Sequence, residues 1–369
     1  MMQLFLEAVD VWLFRDGRPF DAFADHRARS LFPPYPSVMQ GVIRSHHLVT
    51  RGVDLHDQQK IAEAVGTAGD YRDLLLRGPF LARRDAGGSI QRLLSVPANA
   101  LPVGGDGSSA GYRSLRPRKR PAGLTTSADQ NVPMLLLPPD QQEPSKERAG
   151  EWISEENVRE FLTAKPQEVF GALSSATLYQ PETRLGIGRD DAKRVTKEMA
   201  LYEAEFIRPQ KDVGLLVEVE GYDGWSQTGV LRIGGEGRAA IFEQVNGNIK
   251  LWREQHPMPD PLPRNFVVYF ATPTHFDGGW RPGSNNWGAF FEGHVELQAA
   301  AFGRYQSLGG FDWATNRHKT ARRFVPSGAV YFFYSDGTAR LKVDLPNRAI
   351  THYGPEIGFG QVIILPWKE

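Results

Sequence analysis

The sequence has no cysteine, no net charge and no apolar run long enough to span a membrane as a helix, and each absence removes a class of function. With no cysteine among 369 residues, disulfides, thiolate zinc sites and cysteine nucleophiles are excluded, and a reducing cytoplasm is the expected compartment. Lysine plus arginine and aspartate plus glutamate number 43 each, so no global field steers an anionic partner. Any contact with nucleic acid must come from positive charge gathered locally. The N-terminus, MMQLFLEAVDVW, carries acids within its apolar run and no basic region ahead of it, unlike a signal peptide. A phosphate-loop lysine motif, histidines at HExxH spacing and a GxSxG elbow are also missing. No catalytic residue, metal ligand set or cofactor is assigned from these motifs.

What is present reads as two α+β domains, the usual number for this length. Residues 2–14 read as a strand apolar on both faces. FRDGRPFDAF (Phe14–Phe23) is turn-rich. Residues 26–53 contain no acid. Within them Pro33, Pro34 and Pro36 enforce an extended entry, Ser37 is placed to cap a helix, and Val38, Met39, Val42, Ile43 and His46 recur at helical spacing. That helix start is a natural phosphate seat. Leu74–Arg84 and Ile90–Leu101 read as strands. Val103–Asn131 is rich in Gly, Ser and Pro, carries Arg113, Arg116, Arg118, Lys119 and Arg120, and reads as an exposed basic loop. Ser154 caps a helix that stops before Pro166. The second half is strand-dominated, with Val213–Tyr222, Gly229–Gly235, Arg238–Val245, Asn265–Pro273, Ala329–Ser335 and Gly360–Trp367 joined at glycines. No exact repeat is present, although both halves can be variations on one strand-helix-strand theme.

Four stretches carry chemistry. Arg184–Tyr202 (RLGIGRDDAKRVTKEMALY) reads as a hairpin arm whose Arg184, Arg189, Lys193, Arg194 and Lys197 can present a basic edge; a solvated charged hairpin is the alternative. Gly234–Gly237 followed by Arg238 reads as a tight glycine turn between strands. Gly358 and Gly360, just before the last strand, allow a phosphodiester backbone to approach the main chain. NRHKTARR (Asn316–Arg323) is basic without an acid and follows aromatic residues, which suits base stacking and phosphate pairing as well as it suits a charged loop. His46 and His47 leave open a histidine-dependent ribonuclease.

Taken in order, FRDGRPF, FPPYPSVMQGVIRSHHL, RLGIGRDDAKRVTKEMALY, GVLRIGGEGR and GFGQV give a chain that resembles the third-subunit family of the Cmr complex, the type III-B CRISPR effector, within the RAMP superfamily. Val103–Asn131 and Gly278–Trp287 are its least family-like parts, and Met199 stands where a glycine is expected. The resemblance implies two ferredoxin-like (RRM-like) modules, 1–165 with a basic insertion (103–131) and 166–369 with a protruding β-hairpin arm (182–207). It implies a non-catalytic, cytoplasmic ribonucleoprotein subunit that holds the repeat-derived 5′ tag of the crRNA in antiviral defence. Its partners would be the crRNA, the large polymerase-like subunit and a backbone RAMP subunit. The alternative is a metal-independent crRNA-processing endoribonuclease of the same superfamily. The residues expected at RNA are Ser37, Gly41 and Arg44 on the first helix, and Arg184, Gly186, Arg189, Arg194, Lys197 and Tyr202 on the arm. Gly234, Gly235 and Arg238 in the glycine turn, Arg322 and Arg323, and Gly358 and Gly360 complete the set.

Overall fold

A computed structural model describes residues 1–15, 27–67, 69–104, 111–121, 123, 132–138, 145, 150–165, 167–189, 196–312 and 317–368. The architecture is mixed α/β, rich in sheet and poor in helix. Among the described residues no helix is long and apolar enough to cross a membrane.

The chain divides into two compact units, each assembled from three segments: 1–84, 176–246 and 307–323 in one, 85–175, 247–306 and 324–369 in the other. This partition differs from the expected division at 165/166. Long-range strand pairing is the physical reason, because the N-terminal strand finds its partners after residue 212.

The first unit contains β1 (Met2–Ala8), helices α1 (Pro36–Thr50) and α2 (Gln58–Val65), and β2 (Leu75–Arg84). It continues with β3 (Tyr179–Arg189), β4 (Thr196–Pro209), β5 (Val213–Glu220), β6 (Thr228–Arg232) and β7 (Ala239–Gln244). Five of these strands stand in the order β6-β7-β1-β5-β2, every described pairing antiparallel. Alternation along β1 and β5 places Leu4, Leu6, Leu215 and Val217 on the face that meets Met39, Val42, Ile43 and Leu48 of α1. Burying each such side chain favours folding by roughly 1.5–3 kcal/mol. Ser37 is not the cap of α1. Tyr35 holds that position in extended backbone without a side-chain cap, and Pro36 opens the helix, where its fixed φ and missing N–H are tolerated. Asp57 caps α2 by accepting from the N–H groups of Gln59 and Lys60.

The second unit holds helix α3 (Glu155–Thr163) and the strands β8 (Asn265–Phe270), β9 (Val295–Ala301), β10 (Val330–Ser335) and β11 (Val362–Pro366). These four pair antiparallel in the order β9-β10-β8-β11. Ser154 caps α3 as expected, accepting from the Asn157 N–H at 3.2 Å. The core is aromatic: Phe266 and Phe333 stack at 5.1 Å, and Trp287 meets Phe333 edge-on at 4.8 Å.

The basic stretch expected to be an exposed loop is in part sheet. Ala100–Val103 pairs with Gly111–Ser114, and Arg116–Lys119 pairs with Met134–Leu137. Arg116 is buried and donates to the Leu162 and Ala164 carbonyls at 2.7 and 2.6 Å. It thereby satisfies carbonyls that the end of α3 leaves without helical partners.

Candidate nucleic-acid interface

The arm is an antiparallel hairpin of β3 and β4, longer than its sequence signal, in which Arg184 faces Ala204 and Gly186 faces Tyr202. A Cβ on Gly186 would lie 2.2 Å from Cζ of Tyr202, so glycine at this position is what lets the tyrosine ring lie across the opposite strand. Leu185 and Ile187 point outward, 68% and 55% exposed. Arg189 ends β3 and Lys197 is the second residue of β4. Arg194, Lys193, Asp190 and Asp191 lie outside the described residues.

At the base of the arm, two predicted arginines from distant parts of the sequence converge on one ring. The guanidinium of Arg184 lies 5.0 Å from the Phe206 centroid and that of Arg238 lies 4.7 Å from it, within the range of cation–π attraction. Three acids hold the arrangement. Asp10 accepts from Arg184 at 3.2 Å and Arg208 at 2.9 Å, with Arg238 at 3.8 Å. Glu182 takes Arg208 and Arg184, each at 2.6 Å. Glu236 lies 3.7 Å from Arg238. Hydrogen bonds from Arg184 and then Arg208 lower the Asp10 pKa, and those from Arg208 and then Arg184 lower that of Glu182. The same contacts, Glu182 first and then Asp10, raise both arginines.

These groups are open to solvent, so the network contributes little to stability. Its effect is positional. Each guanidinium has five N–H donors, and the acids fix its plane while donors remain for a phosphate or a base edge. Asp10, Glu182, Phe206 and Arg208 were not among the expected residues. One signal was available, because Glu182 faces Phe206 in the hairpin register, two residues from Arg208, the diagonal at which opposite charges meet across strands.

The glycine turn is structural, in line with its tight-turn reading. Gly235 donates to the Leu13 carbonyl at 2.8 Å, and the turn delivers Arg238 to Phe206. The other predicted residues lie elsewhere. Arg44 donates to the Gly66 carbonyl at 2.8 Å and stands 5.8 Å from the Tyr71 ring, where it secures the end of α2. Gly41 is inside α1, and Ser37 in its first turn. The phosphate seat expected there is diminished, since Pro36 has no N–H and the Val38 N–H is spent on the Tyr35 carbonyl. Arg322 and Arg323 are exposed on the short strand Arg322–Phe324.

Gly358 and Gly360 belong to the second unit and are buried. The Phe359 and Gly360 N–H groups bond to the Gly354 and Pro273 carbonyls, and Thr272 donates to the Gly358 carbonyl at 2.7 Å. The expected open approach for a phosphodiester is therefore corrected: the loop is packed against its own unit.

His46 lies 4.3 Å from Trp225 and His47 stacks on Tyr222 at 4.1 Å. Burial pushes both imidazoles below their ordinary 6.5, leaving them neutral at pH 7. Among the described residues, no group of three or more His, Asp or Glu is placed to hold a metal ion.

A family model described as CRISPR-associated protein (Cas_Cmr3) matches residues 4–367. The chain is also similar to a chain in the cryo-EM structure of the type III-B Cmr-beta complex bound to cognate target RNA, at 15% identity over 98% of this chain and 96% of that one, with a TM-score of 0.47. A second Cmr-beta structure, bound to cognate target RNA and AMPPnP, matches at 15% identity over 89% and 86%, with a TM-score of 0.44. A chain of the Csm3–Csm4 subcomplex of the type III-A CRISPR–Cas interference complex matches at 10% identity over 100% of both chains, with a TM-score of 0.39. No curated protein sequence matches. The family match spans nearly the whole sequence and bears out the resemblance carried by the five motifs: the chain belongs to the Cas_Cmr3 family of CRISPR-associated proteins.

Proposed function

We propose that this chain is a non-catalytic RNA-binding subunit of a type III-B CRISPR effector complex that caps the repeat-derived 5′ tag of the crRNA. It would work beside the large polymerase-like subunit and a backbone RAMP subunit. The observation that carries the reading is the convergence of Arg184 and Arg238 on Phe206 at the base of the arm. Phe206 is buried and serves to fix the two guanidiniums; the partly exposed guanidiniums suit a single strand, whose phosphates take their charge and whose splayed bases take their flat faces. A net-neutral protein can do this because the positive groups are local and held in place.

The fold supports the same reading. Numbered within each unit, β7-β1-β5-β2 and β11-β8-β10-β9 both follow the antiparallel order 4-1-3-2, that of a ferredoxin-like sheet. The first unit has the strand β6 where that fold has its second helix, and among the described residues the second unit has short 3-10 turns and no α-helix where that fold has its two helices.

The test is retention of crRNA by the reconstituted complex at several salt concentrations, with tagged and untagged guides. For Arg184→Ala or Arg238→Ala, tagged crRNA is retained less well. The slope of log affinity against log salt flattens by about 0.7 for each single-strand phosphate that the variant no longer neutralises. Equal losses for tagged and untagged RNA, or no loss for either, overturn the tag assignment.

A further inference from the structure

The second unit contains a pocket that the RNA reading does not use. It is lined by Trp252, Arg253, His256, Asn347, Arg348 and Gln361, among others. Gln361 is 1% exposed, and its Nε2 has no hydrogen-bond partner among the described residues. An unspent amide donor this deep carries a desolvation penalty, which an acceptor entering the pocket removes.

Another part of the lining is strained. Asn347 and Arg348 are consecutive non-glycine residues in the left-handed region, at φ of 57° and 50°. That conformation is costly for L-residues and marks functional sites. It turns Asn347 inward, where its Nδ2 donates to the Pro355 carbonyl at 3.1 Å, and leaves Arg348 exposed at the rim. Arg253, also exposed, supplies a second guanidinium. His256 forms part of the wall only, because both of its ring nitrogens are engaged, Nε2 by Glu155 at 2.5 Å and Nδ1 by Arg159 at 3.1 Å. Among the described residues, the lining contains no carboxylate.

A buried donor, two guanidiniums and no acid define the ligand chemistry as an anion with acceptor oxygens. We propose that this pocket is a phosphate-binding site, with the Gln361 amide as its buried donor and Arg253 and Arg348 as its charged clamp. The site lies wholly within the second unit and does not depend on the 5′-tag reading, which rests on residues of the first unit.

The experiment is calorimetric titration of the full chain with inorganic phosphate and, separately, with AMP. Two variants accompany it: Arg348→Gly, which keeps the left-handed backbone, and Gln361→Met, which removes the donor at similar volume. Wild type binds at least one of the two ligands, and each variant weakens binding by roughly tenfold or more, the worth of a hydrogen bond to a charged group. Equal affinity for both ligands assigns free phosphate, and tighter AMP binding assigns the phosphate of a nucleotide. No heat from either ligand at about 10 mM, a concentration that reveals even millimolar sites, overturns the proposal. So does wild-type affinity in Arg348→Gly, whose exposed position keeps it informative even if Gln361→Met fails to fold.

Discussion

Replacing Arg92 with methionine tests the buried ion cluster at the start of α3. Arg92 Nη1 stands 3.1 Å from Glu155 Oε2, with the two side chains 0% and 2% exposed. Its Nη2 donates to the Lys250 carbonyl at 2.7 Å, and His256 Nε2 meets Glu155 Oε1 at 2.5 Å. Removing Arg92 leaves a carboxylate that water does not reach with one remaining side-chain donor. Breaking one partner out of a buried pair costs about 3–5 kcal/mol, a large part of the roughly 5–15 kcal/mol that holds a domain together. Urea unfolding of the full chain, followed by aromatic fluorescence, should lose about 1 M or more from the midpoint of the second unit, given slopes of roughly 1–3 kcal/mol/M.

The pH dependence gives the sign. Burial alone would raise the Glu155 pKa, but the hydrogen bond from His256 and the charge of Arg92 outweigh it and hold the group below its ordinary 4.5. A depressed carboxylate stabilises fully above the unfolded value, and the contribution fades as pH falls through the folded one. His256 is pushed below 6.5, mainly by burial. It therefore favours folding fully above 6.5, and less as acid charges the unfolded chain. Wild type accordingly weakens on acidification. The Arg92→Met penalty is greatest near pH 7 and shrinks towards pH 4–5, where the stranded carboxyl takes up a proton. A midpoint unchanged at pH 7, or a penalty that grows with acid, would refute this account. The double variant Arg92→Met with Glu155→Met should recover much of the loss, since an apolar replacement of a whole buried pair is often neutral.

Two further outcomes follow from single side chains. Gly360→Ala should cost more than the roughly 1–2 kcal/mol of a left-handed backbone, because φ is +67° and the new Cβ would sit 2.7 Å from the Ile350 carbonyl oxygen; Gly41→Ala, with nothing within 4 Å of its Cβ, should instead gain about 0.5–1 kcal/mol, and thermal unfolding that ranks them the other way defeats the argument. Arg116→Lys should destabilise nearly as much as Arg116→Met, by about 2–3 kcal/mol, because one ammonium does not reproduce the fork that reaches the Leu162 and Ala164 carbonyls; a wild-type melting temperature for the lysine variant rules this out.

Local elements were legible in the sequence wherever periodicity and caps agreed. The first strand is shorter than expected, Met2–Ala8 against residues 2–14, while α1, α3 with its Ser154 cap and the six later strands appear close to where alternation and turn residues put them. Three things were hidden for physical reasons. Ser37 has the chemistry of a cap, but Pro36 one residue earlier fits the first helical position better and moves the helix start. The basic stretch around Arg116 has the composition of a solvated loop, and only the carbonyls at the end of α3, more than forty residues away, turn an arginine there into a buried tie. The interface was half visible: Arg184 and Arg238 were found by residue type, whereas Asp10 and Glu182, which set their planes, were not among the expected residues. Opposite charge within a site reads as cancellation along the chain and as orientation in space.

The interleaving of the two units has a consequence for synthesis. β1 is made well before its two sheet neighbours, which span residues 213–220 and 239–244. At about 5–20 residues per second, the nascent chain carries an unpaired, strongly apolar strand for some ten seconds or more, while the whole of the other unit's first segment is made. Neither unit can be obtained by cutting the chain at one point, and a translational stall before residue 244 leaves the N-terminal sheet open along one side of its first strand. In such a chain the quality-control risk lies in the order of delivery, whatever the stability of the finished fold.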